Sequence, residues 1–149
     1  MTLPENASPD CAFCEIAGGK EAGHVVFEDD ICLAFLDRRP LFWGHLLLIP
    51  KVHYPTLTDL PPEVVGPFFT NAQLLAQAVE QAMQAQGSFV AINNRVSQSV
   101  PHLHVHIVPR NRKDGLRGFF WPRTKYRDED QMRQVRDALR NEIAELQSK

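Results

Sequence analysis

The sequence predicts an α+β domain, with about five strands in an antiparallel sheet and two main helices packed on it. Two observations carry this prediction. Short β-rich runs are joined mainly by short turns, which favours antiparallel neighbours. Two longer segments repeat apolar residues every three or four positions, as a helix with one buried face requires. The 149 residues suit one domain, which we expect over 11–149 after a flexible N-terminal lead at 1–10.

The strand predictions rest on apolar runs bounded by turns. Two β-rich runs around the polar pair Asp29–Asp30 predict a hairpin. The segment HLLLIPK is almost continuously apolar, which is typical of a strand covered on both faces. The five predicted strands are 24–28, 31–37, 45–51, 88–94 and 102–108.

Two helices are predicted from their caps and apolar stripes. The first begins with Thr58 or Asp59 as its cap and ends near Gln86, before Gly87. Its expected buried stripe consists of Phe68, Leu75, Val79 and Met83. The second covers about 128–147 and is capped by Asp128. Its apolar stripe consists of Met132, Val135, Leu139, Ile143 and Leu146.

The loop 110–127 is basic and contains interleaved aromatic residues, with Asp114 as its one acid. Such a loop could hold a polyphosphate, pack in a dimer interface or bind single-stranded nucleic acid. The simpler alternative is a solvated loop whose aromatic side chains lie in the core. We favour a position near the histidines described below, because the loop directly follows their strand.

Composition narrows the function classes. The 16 basic and 18 acidic side chains give a net charge of −2, which indicates neither a nucleic-acid nor a membrane partner. No apolar run is long enough to span a bilayer, and the N-terminus lacks the basic and apolar regions of a signal peptide. Three cysteines suit a reducing compartment, so we expect a cytoplasmic protein.

Three histidines occupy every second position of the stretch PHLHVHIVPR: His102, His104 and His106. Strict alternation places them on one face of a strand and the intervening apolar residues on the other. His102 and His106 would lie roughly 13 Å apart, too far to share a zinc ion whose ligands lie at about 2.0–2.3 Å. The histidines therefore do not all share one role. The simpler alternative is a polar strand face turned to solvent.

Cys11 and Cys14 form a Cys-x-x-Cys pair, which is typical of a metal site or, alternatively, of redox activity. A site with two cysteines and two histidines needs two distant imidazoles, and His53 and His102 are the candidates. The simpler alternative is a pair of buried thiols. Cys32 lies in an apolar strand and is expected to be an ordinary core residue.

The segment HLHVHIV fits the histidine-triad pattern, His-φ-His-φ-His-φ-φ with φ apolar, at all seven positions. Residues 11–63 resemble the N-terminal half of bacterial members of that family. The stretch SQSVPHLHVHIVPR is similar to the loop and triad of its fragile histidine triad branch. The sequence is therefore identified as a member of the histidine triad (HIT) family, of the zinc-containing bacterial type. The resemblance covers about 11–110 and implies a HIT-like fold, whereas the tail GLRGFFWPRTKY lies outside it.

The resemblance implies an enzyme that hydrolyses or transfers nucleotides at the α-phosphate through a covalent nucleotidyl-histidine intermediate. His104 would be the nucleophile, which suits a neutral imidazole at pH 7. Its second ring nitrogen must keep a proton, and we expect a backbone carbonyl to hold it. His106 would contact the same phosphate and help to protonate the leaving group.

Five further residues would contact the substrate by the same resemblance. Asp37 would bind the ribose hydroxyls, Asn93 would bind ribose or phosphate, and His45 would lie at the rim of the pocket. The alternative for His45 is a histidine at a strand start, packed on Trp43. Gln98 and Ser99 would donate hydrogen bonds to the phosphate. Ser97 precedes them where relatives often have glycine, so we expect the loop path to differ there.

Some family members hold a structural zinc ion, and the matching residues here are Cys11, Cys14, His53 and His102. The chemistry itself would need no metal. A dinucleoside polyphosphate carrying adenine or guanine is the favoured substrate, and a nucleoside phosphoramidate is the second. The alternatives are a dinucleoside polyphosphate phosphorylase and a nucleotide- or partner-binding regulatory protein with incidental hydrolysis. The resemblance also implies a homodimer, without a nucleic-acid or membrane partner.

Overall fold

The computed structural model describes residues 7–116 and 123–149. The chain forms two compact units, one up to Asp114 and one from Gly115 to Lys149. Most of the expected N-terminal lead (1–6) and the centre of the basic loop (117–122) lie outside the described residues. The single domain over 11–149 stays a prediction.

The first unit contains a five-stranded antiparallel sheet in the order β1-β2-β3-β5-β4. The predicted α+β class and five strands are confirmed. The Asp29 carboxylate closes the first hairpin, because it accepts the backbone N–H groups of Ile31 at 2.9 Å and Cys32 at 2.7 Å. The strands are β1 (Val25–Glu28), β2 (Cys32–Leu36), β3 (Leu46–Pro50), β4 (Gly87–Ile92) and β5 (Val105–Arg110).

Two helices cover opposite faces of this sheet: α1 (Ala12–Ala17) and α2 (Pro62–Ala82). Within β3, Leu46 and Leu48 pack in the cluster that contains residues of α2. Leu47 and Ile49 pack in the cluster that contains residues of α1. The central strand is therefore buried on both faces, as its apolar run predicts. The short helix α1 begins within the Cys-x-x-Cys pair, with Cys11 as its cap and Cys14 in its first turn, and it was not among the predicted elements.

The bounds of α2 differ from the prediction at both ends. A separate 3-10 turn occupies Leu57–Asp59, and Leu60 is extended before the proline pair. A residue before proline is disfavoured in the helical region, so α2 can begin only at Pro62. The helix ends where Gln84 takes a left-handed φ of 52°.

The buried stripe of α2 consists of Phe68, Ala72, Leu75 and Val79. Met83 was expected to complete that stripe, but it is 40% exposed. The prediction is wrong at this position because the helix ends at Ala82 and Met83 is the C-terminal cap.

The strand of the histidines also begins later than predicted. β5 starts at Val105, so His102 and His104 precede it. Two backbone hydrogen bonds hold the residues that lead into β5. Leu103 N–H donates to the Tyr54 carbonyl at 2.7 Å, and His102 N–H donates to the Val100 carbonyl at 2.8 Å. These bonds replace the ladder bonds of a strand, and they tie the first two histidines to neighbouring loops.

The second unit contains α3 (Glu129–Gln147). The predicted cap is confirmed, because the Asp128 side chain accepts the Gln131 N–H at 2.8 Å. Within the described part of the chain none of the residues of α3 is buried, and its apolar stripe is 38–61% exposed. No helix among the described residues is long and apolar enough to cross a membrane.

Candidate active site and metal centre

A cleft of about 270 Å³ opens on the face of the sheet opposite α2. Its apolar lining includes side chains from α1, β2 and β3: Phe13, Ile16, Phe35 and Leu47. Polar side chains also line it, among them Asp37, Ser99, His104 and His106. A mainly apolar cleft with a few polar groups suits a small ligand that carries an apolar ring system and a polar group.

His104 is held in one tautomer. Its Nδ1 lies 2.7 Å from the His102 carbonyl oxygen, which can only accept, so Nδ1 carries the proton. The lone pair of Nε2 is therefore free. Burial lowers the pKa of His104, so the ring is neutral at pH 7. A neutral imidazole with a free Nε2 at the wall of the cleft is a competent nucleophile.

The tautomer of His106 follows from a chain of hydrogen bonds. Leu41 N–H donates to His45 Nδ1 at 3.0 Å, so neutral His45 carries its proton on Nε2. That Nε2 lies 3.0 Å from His106 Nδ1 and donates to it. His106 consequently carries its own proton on Nε2. Beside His104, this N–H can donate to an anionic oxygen in the cleft.

His45 thus contacts His106 and does not line the cleft. Its ring centroid lies 5.2 Å from that of His106, whereas Trp43 is 85% exposed. His45 Nε2 also lies 3.5 Å from the Asp37 carboxylate. The nitrogen and oxygen atoms of Asp37, His45 and His106 are close enough to hold a metal ion. The protonated Nε2 of His45 cannot ligate one, however, because its Nδ1 already accepts the Leu41 N–H.

The second cluster consists of Cys11, Cys14, His53 and His102, whose ligand atoms all lie within 4.8 Å of one another. His102 Nε2 donates to the Pro50 carbonyl at 2.8 Å, which leaves the lone pair of Nδ1 free. That Nδ1 lies 3.5 Å from both sulfur atoms. His53 Nδ1 lies 3.2 Å from the sulfur of Cys14.

These distances fit tetrahedral zinc. Zn–S bonds of about 2.3 Å and Zn–N bonds of about 2.0 Å place sulfur and nitrogen about 3.5 Å apart. Burial raises the pKa of Cys14 to about 11, so without a cation this thiol stays protonated. Four protein ligands leave no open position, which is typical of a structural site. His102 therefore faces this cluster, while His104 and His106 face the cleft.

The remaining predicted substrate residues divide into two groups. Asp37 and Ser99 line the cleft. Asn93 and Gln98 both lie outside the cleft lining, and Asn93 is exposed. The Gln98 amide donates to the Pro55 carbonyl at 2.6 Å and accepts the Arg95 N–H at 2.8 Å. The structure therefore does not bring Gln98 into the cleft lining beside His104.

The loop before the histidines contains backbone angles that favour glycine. Ser97 has a φ of 59°, and Arg95 has a φ of 68°. We expect Ser97→Gly to stabilise the protein by up to about 1 kcal/mol, because glycine reaches this region without a Cβ clash. Urea unfolding would measure the gain. Ser99→Gly, whose φ is not positive, is the control and should destabilise; a loss of stability in Ser97→Gly would contradict the prediction.

Acid should weaken the fold through His106. Burial lowers the pKa of His106 to about 4, and the neighbouring His104 and His45 add to the shift. Between about pH 4 and pH 6.5 the unfolded chain binds a proton at this residue, and the folded protein does not. The free energy of unfolding therefore rises with pH across this window, by at most about 1.4 kcal/mol per pH unit for this group.

The variant His106→Asn should flatten that dependence, since its amide oxygen can still accept from His45. Urea unfolding of both proteins at several pH values between about 4.5 and 6.5 would measure the difference. Parallel curves for the two proteins would show that His106 is not buried in neutral form.

The apolar wall of the cleft was not among the predicted site residues. Its signal was present, because Phe35 in β2 and Leu47 in β3 are register partners on the face away from α2. Phe13 lies between the two cysteines of the Cys-x-x-Cys pair, and its ring centroid is 5.1 Å from that of His104. The Cys-x-x-Cys pattern is defined by its two cysteines, so it carries no signal for the aromatic residue between them.

Comparison with known proteins shows that this chain is similar to a family that contains enzymes. The HIT domain model matches residues 19–113. The adenylylsulfatase HINT3 of Arabidopsis thaliana is 40% identical over 109 residues, which cover 72% of this chain and 55% of that protein. The chain thus spans about half of the length of that relative. The adenosine 5'-monophosphoramidase HNT1 of Saccharomyces cerevisiae is 35% identical over 78% of this chain and 73% of its own length.

A third relative, the asymmetrical bis(5'-nucleosyl)-tetraphosphatase of Schizosaccharomyces pombe, is 36% identical over 60% of this chain and 50% of its own length. Among solved structures, a Streptococcus mutans protein matches with a TM-score of 0.83 and 29% identity, over 96% of this chain and 91% of that one. A zinc-bound histidine triad protein of Mycobacterium smegmatis matches with a TM-score of 0.69 and 36% identity, over 93% and 99%. The resemblance found in the sequence is therefore confirmed, and the chain belongs to the histidine triad (HIT) family of nucleotide hydrolases.

Proposed function

We propose that the protein attacks the α-phosphate of a nucleotide through a covalent nucleotidyl-His104 intermediate and then transfers the nucleotidyl group to water. The observation that carries this is the hydrogen bond from His104 Nδ1 to the His102 carbonyl, which frees Nε2 at the wall of the cleft. The nucleobase would pack on the apolar part of the lining, and the Asp37 carboxylate would accept the ribose hydroxyls.

The reaction has two displacement steps. His104 Nε2 forms a bond to the α-phosphorus as the bond to the leaving group breaks. The Nε2–H of His106 and the hydroxyl of Ser99 donate to the oxygens on which charge develops. An acceptor oxygen then displaces His104, and its proton passes to solvent. Each step inverts the phosphorus, so the overall stereochemistry is retained.

The proton state of His106 favours substrates with stable leaving groups. With a pKa of about 4, little of His106 is charged at pH 7 in the free protein. A polyphosphate departs as an anion and needs only hydrogen bonds, whereas the nitrogen of a phosphoramidate needs a full proton. We therefore favour a dinucleoside polyphosphate over a nucleoside phosphoramidate. The names of three relatives support a panel of polyphosphates, phosphoramidates and adenylyl sulfate.

A substrate panel tests the proposal. Each compound is supplied with water alone and with added inorganic phosphate, and products are separated by ion-exchange chromatography. We expect nucleoside monophosphate as the common product and the highest kcat/KM for the dinucleoside polyphosphate. A nucleoside diphosphate formed from added phosphate would indicate the phosphorylase. Binding without turnover of any compound would overturn the hydrolase and support the regulatory nucleotide-binding protein.

Three further features complete the proposal. Cys11, Cys14, His53 and His102 would hold a structural Zn²⁺, supported by their distances and by the zinc-bound relative. That ion would fix the N-terminal segment against the histidines and take no part in the bond changes. A homodimer and a cytoplasmic location follow only from family resemblance and cysteine content, and sedimentation at several concentrations would test the first.

A further inference from the structure

We propose that Gln98 is a positioning residue: it braces the loop that carries Ser99 against the segment 53–57, which also supplies the zinc-cluster residue His53. This inference rests on the proposed function in one respect, namely that Ser99 meets the phosphate. The family resemblance instead placed Gln98 itself on the phosphate.

The two polar atoms of the Gln98 amide are already used inside the protein. Its Nε2 donates to the Pro55 carbonyl at 2.6 Å, and its Oε1 accepts the Arg95 N–H at 2.8 Å. The bond to Pro55 fixes the direction of this amide, although its second N–H stays available as a donor. Gln98 also lies outside the cleft lining, whereas the next residue, Ser99, is part of it.

The segment 53–57 contacts the loop before Ser99, the residues that lead into β5, and the cysteine–histidine cluster. Beside the Pro55 bond, Leu57 N–H donates to the Asn94 side-chain oxygen at 2.9 Å. Tyr54 accepts the N–H of Leu103, between the first two histidines, at 2.7 Å. His53 contacts the sulfur of Cys14 at 3.2 Å. One short segment therefore joins the loop, the entry of β5 and the metal cluster.

The loop needs such a brace because its own backbone is strained. Arg95 and Ser97 both have left-handed φ angles, which cost energy unless the surroundings hold them. The Gln98 side chain links this stretch to the segment 53–57, since it accepts the Arg95 N–H and donates to the Pro55 carbonyl. Removing it should release the loop at Ser99 and loosen the segment at His53.

A double-mutant cycle separates positioning from direct contact. We expect Gln98→Ala to lower kcat about tenfold with KM nearly unchanged, since it removes two hydrogen bonds that only align Ser99. In the Ser99→Ala background the same change should cost less than about twofold, because the group it aligns is already gone. A direct phosphate contact predicts instead that the two losses multiply, and that result would overturn the proposal. Gln77→Ala, at an exposed position of α2, is the matched control.

The second readout does not depend on turnover. The holoprotein is mixed with a chromogenic chelator, and the rate of zinc transfer is followed by absorbance. Gln98→Ala should release zinc several-fold faster than the wild type, while Ser99→Ala and Gln77→Ala should match the wild type. An unchanged rate in Gln98→Ala would overturn the brace. If the wild type turned over no nucleotide, the proposed function would fail. The zinc-transfer rates would then still decide whether Gln98 braces the loop.

Discussion

We expect His104→Ala to lower kcat by about four to six orders of magnitude, the size of loss seen when a covalent nucleophile is removed from a hydrolase. The reason lies in the tautomer. His104 offers Nε2 to the cleft because its Nδ1–H is bound to the His102 carbonyl. Alanine removes the nucleophile, and water would have to attack the phosphorus directly. The remaining donors, Ser99 and His106, would still bind the phosphate, so substrate affinity should change far less than turnover.

Rapid quenching with a radiolabelled nucleotide tests whether His104 is the nucleophile. The quench is alkaline, because a phosphorus–nitrogen bond to imidazole survives base better than acid. Wild type should accumulate labelled protein, and His104→Ala should not. His106→Asn is the matched control, since it changes the neighbouring imidazole and should still form the adduct, more slowly. Labelled protein in His104→Ala would assign the nucleophile to another residue.

The sheet was predictable because its signals are local. The apolar run of β3 predicts a strand buried on both faces, and the five strands occur close to their predicted positions along the chain. The element ends were less predictable, since they depend on distant partners. β5 begins only at Val105 because Tyr54, far away in sequence, takes the N–H of Leu103.

The separation of His102 from His106 was also predictable, because their spacing argues against a shared ion; His102 lies in the cysteine–histidine cluster and His106 lines the cleft. What the sequence could not show is which neighbour each imidazole meets. The contact between His45 and His106 joins residues 61 positions apart, and only folding brings them to 3.0 Å. The orientation of Gln98 is equally non-local, since it is set by the carbonyl of Pro55. Pattern recognition assigns residue types to a site, whereas hydrogen-bond partners require the fold.

Replacing Cys14 by serine should remove zinc and lower the melting temperature by more than about 10 °C, because a structural zinc ion contributes several kcal/mol to folding. Cys14 is fully buried, and its sulfur lies near both His53 and His102. Metal analysis of the purified protein and calorimetry measure the two effects. Cys32→Ala is the matched control, since Cys32 is equally buried but lies in the other core cluster. It should retain zinc and lose only about 1–2 kcal/mol through the cavity it leaves.

The Cys14→Ser variant should also lose turnover at temperatures where it remains folded, although none of the four residues of the cysteine–histidine cluster lines the cleft. His102 joins the two sites: its ring faces the two sulfur atoms, and its carbonyl holds the Nδ1–H of His104. Without the ion, the His102 ring is held by its bonds to the Pro50 carbonyl and the Cys11 sulfur alone, so its position is less firmly fixed. The tautomer of His104 then loses its fixed partner, and kcat should fall about tenfold with a smaller change in KM. A zinc-free Cys14→Ser protein with wild-type kcat would show that the metal centre and the nucleophile are independent.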